Sequence, residues 1–298
     1  MTYKSENDLL SGILDSVQLE AEVFAYDDYC GAWQLDTAGG QKASFHLVGR
    51  GHCWLQLGND RAPVPLQAGD LVLIPLGRWH LITPDRDPSV GSDTSTTVLC
   101  GYFDFGERRY NPILDALPDY VLVPSEQEAE TDTLGLCARL LLTEARGRAP
   151  GRQLMLNRLA ESLFVTILRQ VLGQAENPRG LLAALQDARL SRALAAVHRD
   201  PSQAWSIARM AAEAAMSRTT FSTTFHDIVG MPPMRYLMAL RMHRAKRLLQ
   251  ESGASVAEVA AACGYDEPTS FRRAFSRFFG MGPGAVRRGR ATIKSDVT

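Results

Sequence analysis

Two runs of this 298-residue sequence concentrate side chains able to contact phosphates and base edges. They are Arg218, Thr219, Ser222, Thr223 and His226 in the first, and Thr269, Arg272, Arg273, Ser276 and Arg277 in the second. A guanidinium donates a rigid fork of N–H groups to phosphate or to the acceptor edge of guanine, and a hydroxyl serves either. Helical spacing gathers each set on one face, away from Phe221 and Phe225 in the first run and from Phe271 and Phe275 in the second. The chemistry implied is recognition by helices lying in a major groove.

The elements that must position these faces are written twice. Ser206, Ile207 and Met210 map onto Ser255, Val256 and Val259 at an offset of 49, whereas Phe221, Phe225, Gly230 and Pro233 map onto Phe271, Phe275, Gly280 and Pro283 at an offset of 50. Self-similarity of this kind marks a repeated structural unit, and the one-residue slip belongs in a turn between two helices. Each copy reads as a helix-turn-helix. In the second, Ser255 caps a helix and Glu258 completes a capping box, Gly264 takes the turn, and Asp266 with Pro268 starts the next helix. In the first, Ser206 and Ser217 are the caps and Met216 occupies the turn. The joining segment 234–250 predicts one helix of roughly 25 Å, which with its flanking helices matches the roughly 34 Å of a DNA turn. An arginine-rich helix face can be merely solvated, but two copies on one linker argue for a paired reading head. Arg241 on that linker reads as structural or phosphate-directed.

Charge is divided in the same way. From Leu190 onward there are 16 Lys/Arg against 8 Asp/Glu, and before it 16 against 25, so a basic C-terminal module follows an acidic N-terminal one. No run of about 18 apolar residues occurs and the N-terminus lacks a leader pattern, which predicts a cytoplasmic protein without a membrane span. The five cysteines, at 30, 53, 100, 137 and 263, do not make a secreted disulfide framework. Cys137 and Cys263 sit on apolar helical faces and read as core.

Upstream, 8–17 reads as a short amphipathic helix, and 21–106 as short strands separated by Gly, Pro and Asp, a pattern shared by antiparallel sandwiches and barrels. The segment 112–124 reads as an extended or turning connection. Helices are expected over 133–146 and 152–172, followed by a joint at 175–180. The second helix carries a wide apolar stripe that includes Leu156, Leu163, Phe164, Ile167 and Leu168.

RYLMALRMHRAKRLL and SVAEVAAACGYDEPTSFRRAFSRFFGMGP resemble the linker helix and second helix-turn-helix of the AraC/XylS family of bacterial transcription regulators. The resemblance implies a DNA-binding domain. It departs at Thr223, where the family usually has a basic residue, and at Val286, where an aromatic is common. GDLVLIPLGRWH, from Gly69 to His80, resembles the second cupin motif. Catalytic cupins add two histidines and a glutamate from the first motif, and here only His46 fills that place, so a cupin enzyme tethered to DNA is the weaker reading and no catalytic residue is assigned. CGAWQL, GHCWL, VLCGYF and LPDYVLV resemble the cupin-type sensor of one AraC branch, which includes reactive-chlorine-responsive members. That branch has cysteines at the places of Cys30 and Cys100 and histidines at those of His46 and His80. Two cysteines and two histidines on strands of one barrel would suit tetrahedral zinc or a thiol switch, although no CxxC or HxH is present. Read singly, each is less specific: a buried cysteine is a small hydrophobe of the core, and His80 reads as hydrogen-bonded within the barrel.

The expectation is therefore an α+β multidomain chain: a cupin-like β-barrel with its N-terminal helix over 1–106, a helical dimerisation segment over 107–190, an all-α double helix-turn-helix domain over 191–290, and a tail over 291–298. DNA-facing residues are Arg218, Thr219, Ser222, Thr223, Thr269, Arg272, Arg273 and Arg277. The metal or redox set is Cys30, His46, His80 and Cys100, with zinc as the cofactor such a set would take. The resemblance places self-association on the helical segment, so part of the apolar stripe is expected in a homodimer interface. The partners are double-stranded DNA, a second copy, RNA polymerase if the protein activates, and an effector that the sequence does not name; a small organic ligand acting on a barrel with structural cysteines is the alternative.

Overall fold

The computed structural model describes residues 8–17, 19–37, 42–58, 61–87, 89–105, 111–125, 133–174 and 178–288. The tail at 291–298 and residues 175–177 of the expected joint lie outside them. In chain order the elements are α1 (Leu9–Ser16), β1 (Glu20–Gly31), β2 (Leu35–Thr37), β3 (Ala43–Arg50), β4 (His52–Leu57), β5 (Val64–Gln67), β6 (Leu71–Ile74), β7 (His80–Thr83), β8 (Ser92–Asp104), α2 (Pro112–Ala116) and β9 (Val121–Val123). Nine further helices follow: α3 (Thr133–Arg146), α4 (Arg152–Gln174), α5 (Gly180–Gln186), α6 (Ala188–Arg199), α7 (Ile207–Glu213), α8 (Arg218–Val229), α9 (Pro233–Glu251), α10 (Val256–Ala262) and α11 (Pro268–Phe279). Two compact units result. A sheet unit comprises Leu19–Asp104 with Leu114–Glu176, and a helical unit comprises Met1–Gln18, Phe105–Ile113 and Asn177–Thr298.

The sheet unit holds two open antiparallel sheets, of strand order β1-β8-β3-β6-β9 and β2-β7-β4-β5. Among the described residues the closed barrel expected from strand spacing is not found. Each sheet ends in two edge strands, whereas closure requires every edge to be paired. Spacing of 8 to 12 residues does not distinguish a sandwich from a barrel, because it says nothing about which strands pair. Register fixes what each face of the larger sheet carries. His46 stands opposite Cys100 and Val72, and Ser44 opposite Tyr102 and Ile74, while Phe45 stands opposite Gly101 and Leu73 on the other face.

The first face meets the smaller sheet, where Val48, Val72 and Ile74 pack with Cys53, Leu55, Leu66 and Ile82. On the second, Phe45 stacks on Phe103 at 4.8 Å between ring centroids, and Phe103 meets Phe164 of α4 at 4.8 Å. Gly101 is required there, because a Cβ would lie 2.4 Å from the Phe45 ring. Leu156, Leu163, Phe164, Ile167 and Leu168 of the α4 stripe are buried within their own chain, while Leu159 and Val171 of the same stripe are half-buried. The 112–124 connection is more regular than expected, since it forms α2 and then β9, which pairs with β6.

The helical unit follows its local signals closely. Ser206 accepts from the Arg209 N–H, Ser217 from that of Thr220, and Ser255 with Glu258 forms the reciprocal capping box. Gly230 and Gly280 end α8 and α11 in the left-handed conformation. One cap differs: Glu267, not Asp266, is the N-cap of α11, and Pro268 takes the first helical position. The proline sets the start by its fixed φ and needs no side-chain cap. Cys263, Phe271, Phe275 and Phe278 pack on Ala239, Met242, Ala245 and Leu249 of α9, with Val286 against the cluster. In the same unit α1, capped by Asp8, packs on α6 and α9. Arg247 donates to the Asp15 carbonyl at 2.8 Å, and His198 and Tyr236 are hydrogen-bonded at 2.7 Å between α6 and α9.

Candidate functional site

The repeat positions two helices with matching outer faces. α7 and α10 begin at residues 207 and 256, 49 apart, while α8 and α11 begin at 218 and 268, 50 apart, so the slip falls in the turn. The two turns solve the same geometry differently. Ala215 has φ 52 in the first and Gly264 has φ 75 in the second. Of the eight residues expected to face DNA, Arg218, Thr219, Thr223, Thr269, Arg272, Arg273 and Arg277 are exposed, and Ser222 is half-buried. Phe221, Phe225, Phe271 and Phe275 are buried on the opposite sides. Thr220 and Ser270 are also exposed in the first turns of α8 and α11, and Thr220 is hydrogen-bonded to the cap Ser217.

Arg241 is a clamp within the protein. Its Nε and Nη2 donate at 2.8 Å to the carbonyls of Pro201 and Gln203, and its guanidinium lies 5.8 Å from the Tyr265 ring centroid. This ties α9 to the segment before α7 and to the turn after α10.

In the sheet unit three of the four expected Cys/His residues meet. His46 Nδ1 lies 3.1 Å from Cys100 Sγ, and His46 Nε2 lies 2.7 Å from His80 Nε2 on the facing sheet. His80 Nδ1 lies 2.8 Å from the Arg78 carbonyl oxygen, which can only accept. That fixes the tautomers in order. His80 carries its proton on Nδ1 and accepts on Nε2; His46 therefore donates from Nε2 and accepts on Nδ1; Cys100 donates its S–H. Thr37 Oγ1, 2.8 Å from the His80 ring nitrogens, closes the far end and donates to the His80 carbonyl at 3.1 Å. Neither Arg78 nor Thr37 carries a sequence signal, since both act through strand register.

All three members are buried and neutral at pH 7. Burial, and then the neighbouring His80, push the His46 pKa down to about 3. Burial also lowers that of His80, against the Arg78 carbonyl and Asp36. Burial raises the Cys100 thiol to about 12, with Asp27 and Cys53 adding to it. Cys30 does not join. It is exposed on β1, within the irregularity between Tyr29 and Gly31, whereas Cys100 pairs with Ala25. Five residues of strand separate those positions by about 16 Å.

A tetrahedral ion does not fit this arrangement. The two nitrogens of His46 serve opposite neighbours, so no point is shared by Cys100, His46 and His80. Among the described residues no group of three or more His, Cys, Asp or Glu side chains is placed so that it could hold a metal ion.

A cupin family model matches residues 8–173, and a helix-turn-helix domain model matches residues 210–289. A putative AraC-like transcription regulator of Streptomyces lividans is 31% identical over 277 residues, covering 87% of this chain and 90% of that protein. The HTH-type transcriptional regulator AlkR of Acinetobacter baylyi is 28% identical over 306 residues, covering 94% and 99%. The RCS-specific HTH-type transcriptional activator RclR of Escherichia coli is 27% identical over 259 residues, covering 86% and 88%.

Proposed function

The chain belongs to the AraC-type helix-turn-helix transcription regulators with a cupin N-terminal domain, and from this we propose that α8 and α11 enter successive major grooves while the sheet unit takes the signal at Cys100. The protein is a DNA-binding regulator and not an enzyme. The observation that carries the two-groove reading is the duplicated exposed face on α8 and α11, each backed by a buried phenylalanine pair and joined through α9, whose 19 residues span about 28 Å. Selection from a random duplex pool tests it. Two half-sites about 10 base pairs apart are expected; a single contiguous half-site would sink it.

The sensor reading rests on the hydrogen-bonded chain from Cys100 through His46 to His80. An external two-electron oxidant would convert the Cys100 S–H to S–OH, inserting an oxygen that displaces the donor from the buried His46 Nδ1, at a cost of about 1–3 kcal/mol. The chain then has two states that differ in contacts across the two sheets, which a switch requires. The similarity to the RCS-specific activator RclR, with the resemblance to a reactive-chlorine-responsive branch, makes an oxidant the first input to try. Metal content and free-thiol count, before and after mild oxidant, test this in wild type and Cys100→Ser. No metal and, beyond exposed Cys30, one further thiol lost to oxidant in the folded wild type but not in Cys100→Ser support it; one zinc per chain, lost in Cys100→Ser, would replace it with a metal sensor.

A homodimer fits the same reading. Leu136 and Leu140 of α3 are exposed at helical spacing, and Leu154 and Met155 at the start of α4 are exposed as well. Light scattering should show a dimer that Leu136→Glu with Leu140→Glu dissociates. Contact with RNA polymerase follows only if the protein activates.

A further inference from the structure

We propose that the cleft of about 460 Å³ at one end of the five-stranded sheet binds a small organic cation bearing an aromatic or apolar group. This site lies outside the Cys100 chain and does not depend on the sensor reading above.

Its walls come from three neighbouring strands and α4. Glu20, Glu22 and Phe24 point outward from β1; Tyr102 and Asp104 come from β8, and Lys42 stands just before β3. Register sets Glu20 against Asp104 and Glu22 against Tyr102, so the carboxylates and the phenol share one face. The cleft is built rather than incidental. β1 is an edge strand, and its main chain at Val23 is tied down by α4, with Gln153 donating to the Val23 carbonyl at 2.7 Å and the Val23 N–H donating to Asn157 at 3.2 Å. The wall is thereby held at Val23 before any ligand arrives.

The sign of the ligand follows from the charges. Three carboxylates face one ammonium, and that ammonium is already engaged: Lys42 Nζ lies 3.1 Å from Asp104 and 3.8 Å from the centroid of the Tyr102 ring. The protein's own cation thus shows what this surface holds, a positive charge between a carboxylate and an aromatic face. Glu20 lies outside that ion pair, and Glu22 accepts a hydrogen bond from the Tyr102 hydroxyl, which leaves its charge unpaired by any cation among the described residues. Beside them Phe24 is 54% exposed and stacks on Tyr102 with ring centroids 5.9 Å apart. An exposed aromatic next to carboxylates is suited to an ammonium or amidinium carried on an apolar body; an anion would meet net negative walls. Occupancy would be felt nearby, because Tyr102 shares its face and strand with Cys100, two residues away.

The test is calorimetric titration of the full-length protein with phenethylammonium, alongside 2-phenylethanol and phenylacetate as its neutral and anionic counterparts. Saturable binding of phenethylammonium alone, one per chain, is expected. Phe24→Ala should weaken it about threefold or more, and the double variant Glu20→Gln, Glu22→Gln should weaken it further while leaving the heat of 2-phenylethanol unchanged. All three positions are exposed, so folding is retained, and a thermal melt of each variant verifies it. The proposal is overturned if wild type fails to bind phenethylammonium at millimolar concentration, if phenylacetate binds as tightly, or if Phe24→Ala binds as wild type does.

Discussion

His46 Nε2 lies 2.7 Å from His80 Nε2 across the gap between the two sheets, and the bond has one direction because the Arg78 carbonyl fixes the proton on the far side of His80. The pair joins the sheets only while His80 is neutral, since a proton on His80 Nε2 would face the His46 Nε2–H, whereas a proton added to His46 would sit on Nδ1 against the Cys100 S–H.

Stability should therefore fall with acid. In the unfolded chain both histidines titrate near 6.5, whereas in the fold burial holds His46 down to about 3 and lowers His80 as well. Below pH 6.5 the unfolded state binds protons that the folded state refuses, so stability is complete above that pH and is lost as pH falls toward the folded values. The slope is about 1.4 kcal/mol per pH unit for each histidine. His198, lowered to about 4 chiefly by burial, adds in the same direction from the helical unit. Urea midpoints at pH 7.5 and 5 measure this, and His46→Gln should remove part of the slope. An unchanged slope in that variant would mean that His46 is not held neutral.

Cys100 can be examined by what replaces its S–H. Cys100→Ser keeps a donor to His46 Nδ1 and should cost less than Cys100→Val, which leaves a buried acceptor without one at about 1–3 kcal/mol. Equal losses would reduce Cys100 to a space-filling residue. In wild type, an alkylating reagent at pH 7.5 should modify exposed Cys30 at once, and buried Cys53, Cys100 and Cys263 only as the protein unfolds.

Base reading and phosphate binding separate by salt and sequence. Arg273→Ala should weaken binding to a selected site by about 1–3 kcal/mol and binding to random DNA by much less; an equal loss on both would make Arg273 a phosphate contact. Thr223 is exposed on α8 at a place where the resembling family usually carries a basic residue. Thr223→Lys should steepen the salt dependence by about one counterion and strengthen binding to random DNA. An unaltered slope would place Thr223 away from the phosphates.

What could be read in advance depended on whether the signal was local. Caps, turns and the buried phenylalanines of α8 and α11 are decided within a few residues, and the sequence repeat located even the turn that absorbs the slip. Strand spacing located the strands but not their partners, so a barrel was expected where two open sheets stand. The Cys/His set failed at one member for the same reason. A bulge in β1 and a pairing register, invisible in composition, put Cys30 on the surface and Cys100 beside His46. The apolar stripe of α4 was correctly apolar, but nothing in it distinguishes a neighbouring sheet from a second copy.

Gly264 and Arg241 give the sharpest separation of folding from DNA binding. Gly264 sits at φ +75, where an added Cβ would lie 2.3 Å from the Ser202 carbonyl oxygen and 2.7 Å from Arg241 Nη2. Gly264→Ala should therefore be strained in its backbone and also push on the clamp, for a loss of more than about 1 kcal/mol. Arg241→Ala removes donors to the Pro201 and Gln203 carbonyls and should destabilise the helical unit by a similar amount. Because those donors are spent inside the protein, the salt dependence of DNA binding by folded Arg241→Ala should match wild type. Comparison of melting temperature with the salt slope decides it: a shallower slope with an unchanged melt would return Arg241 to the phosphate backbone.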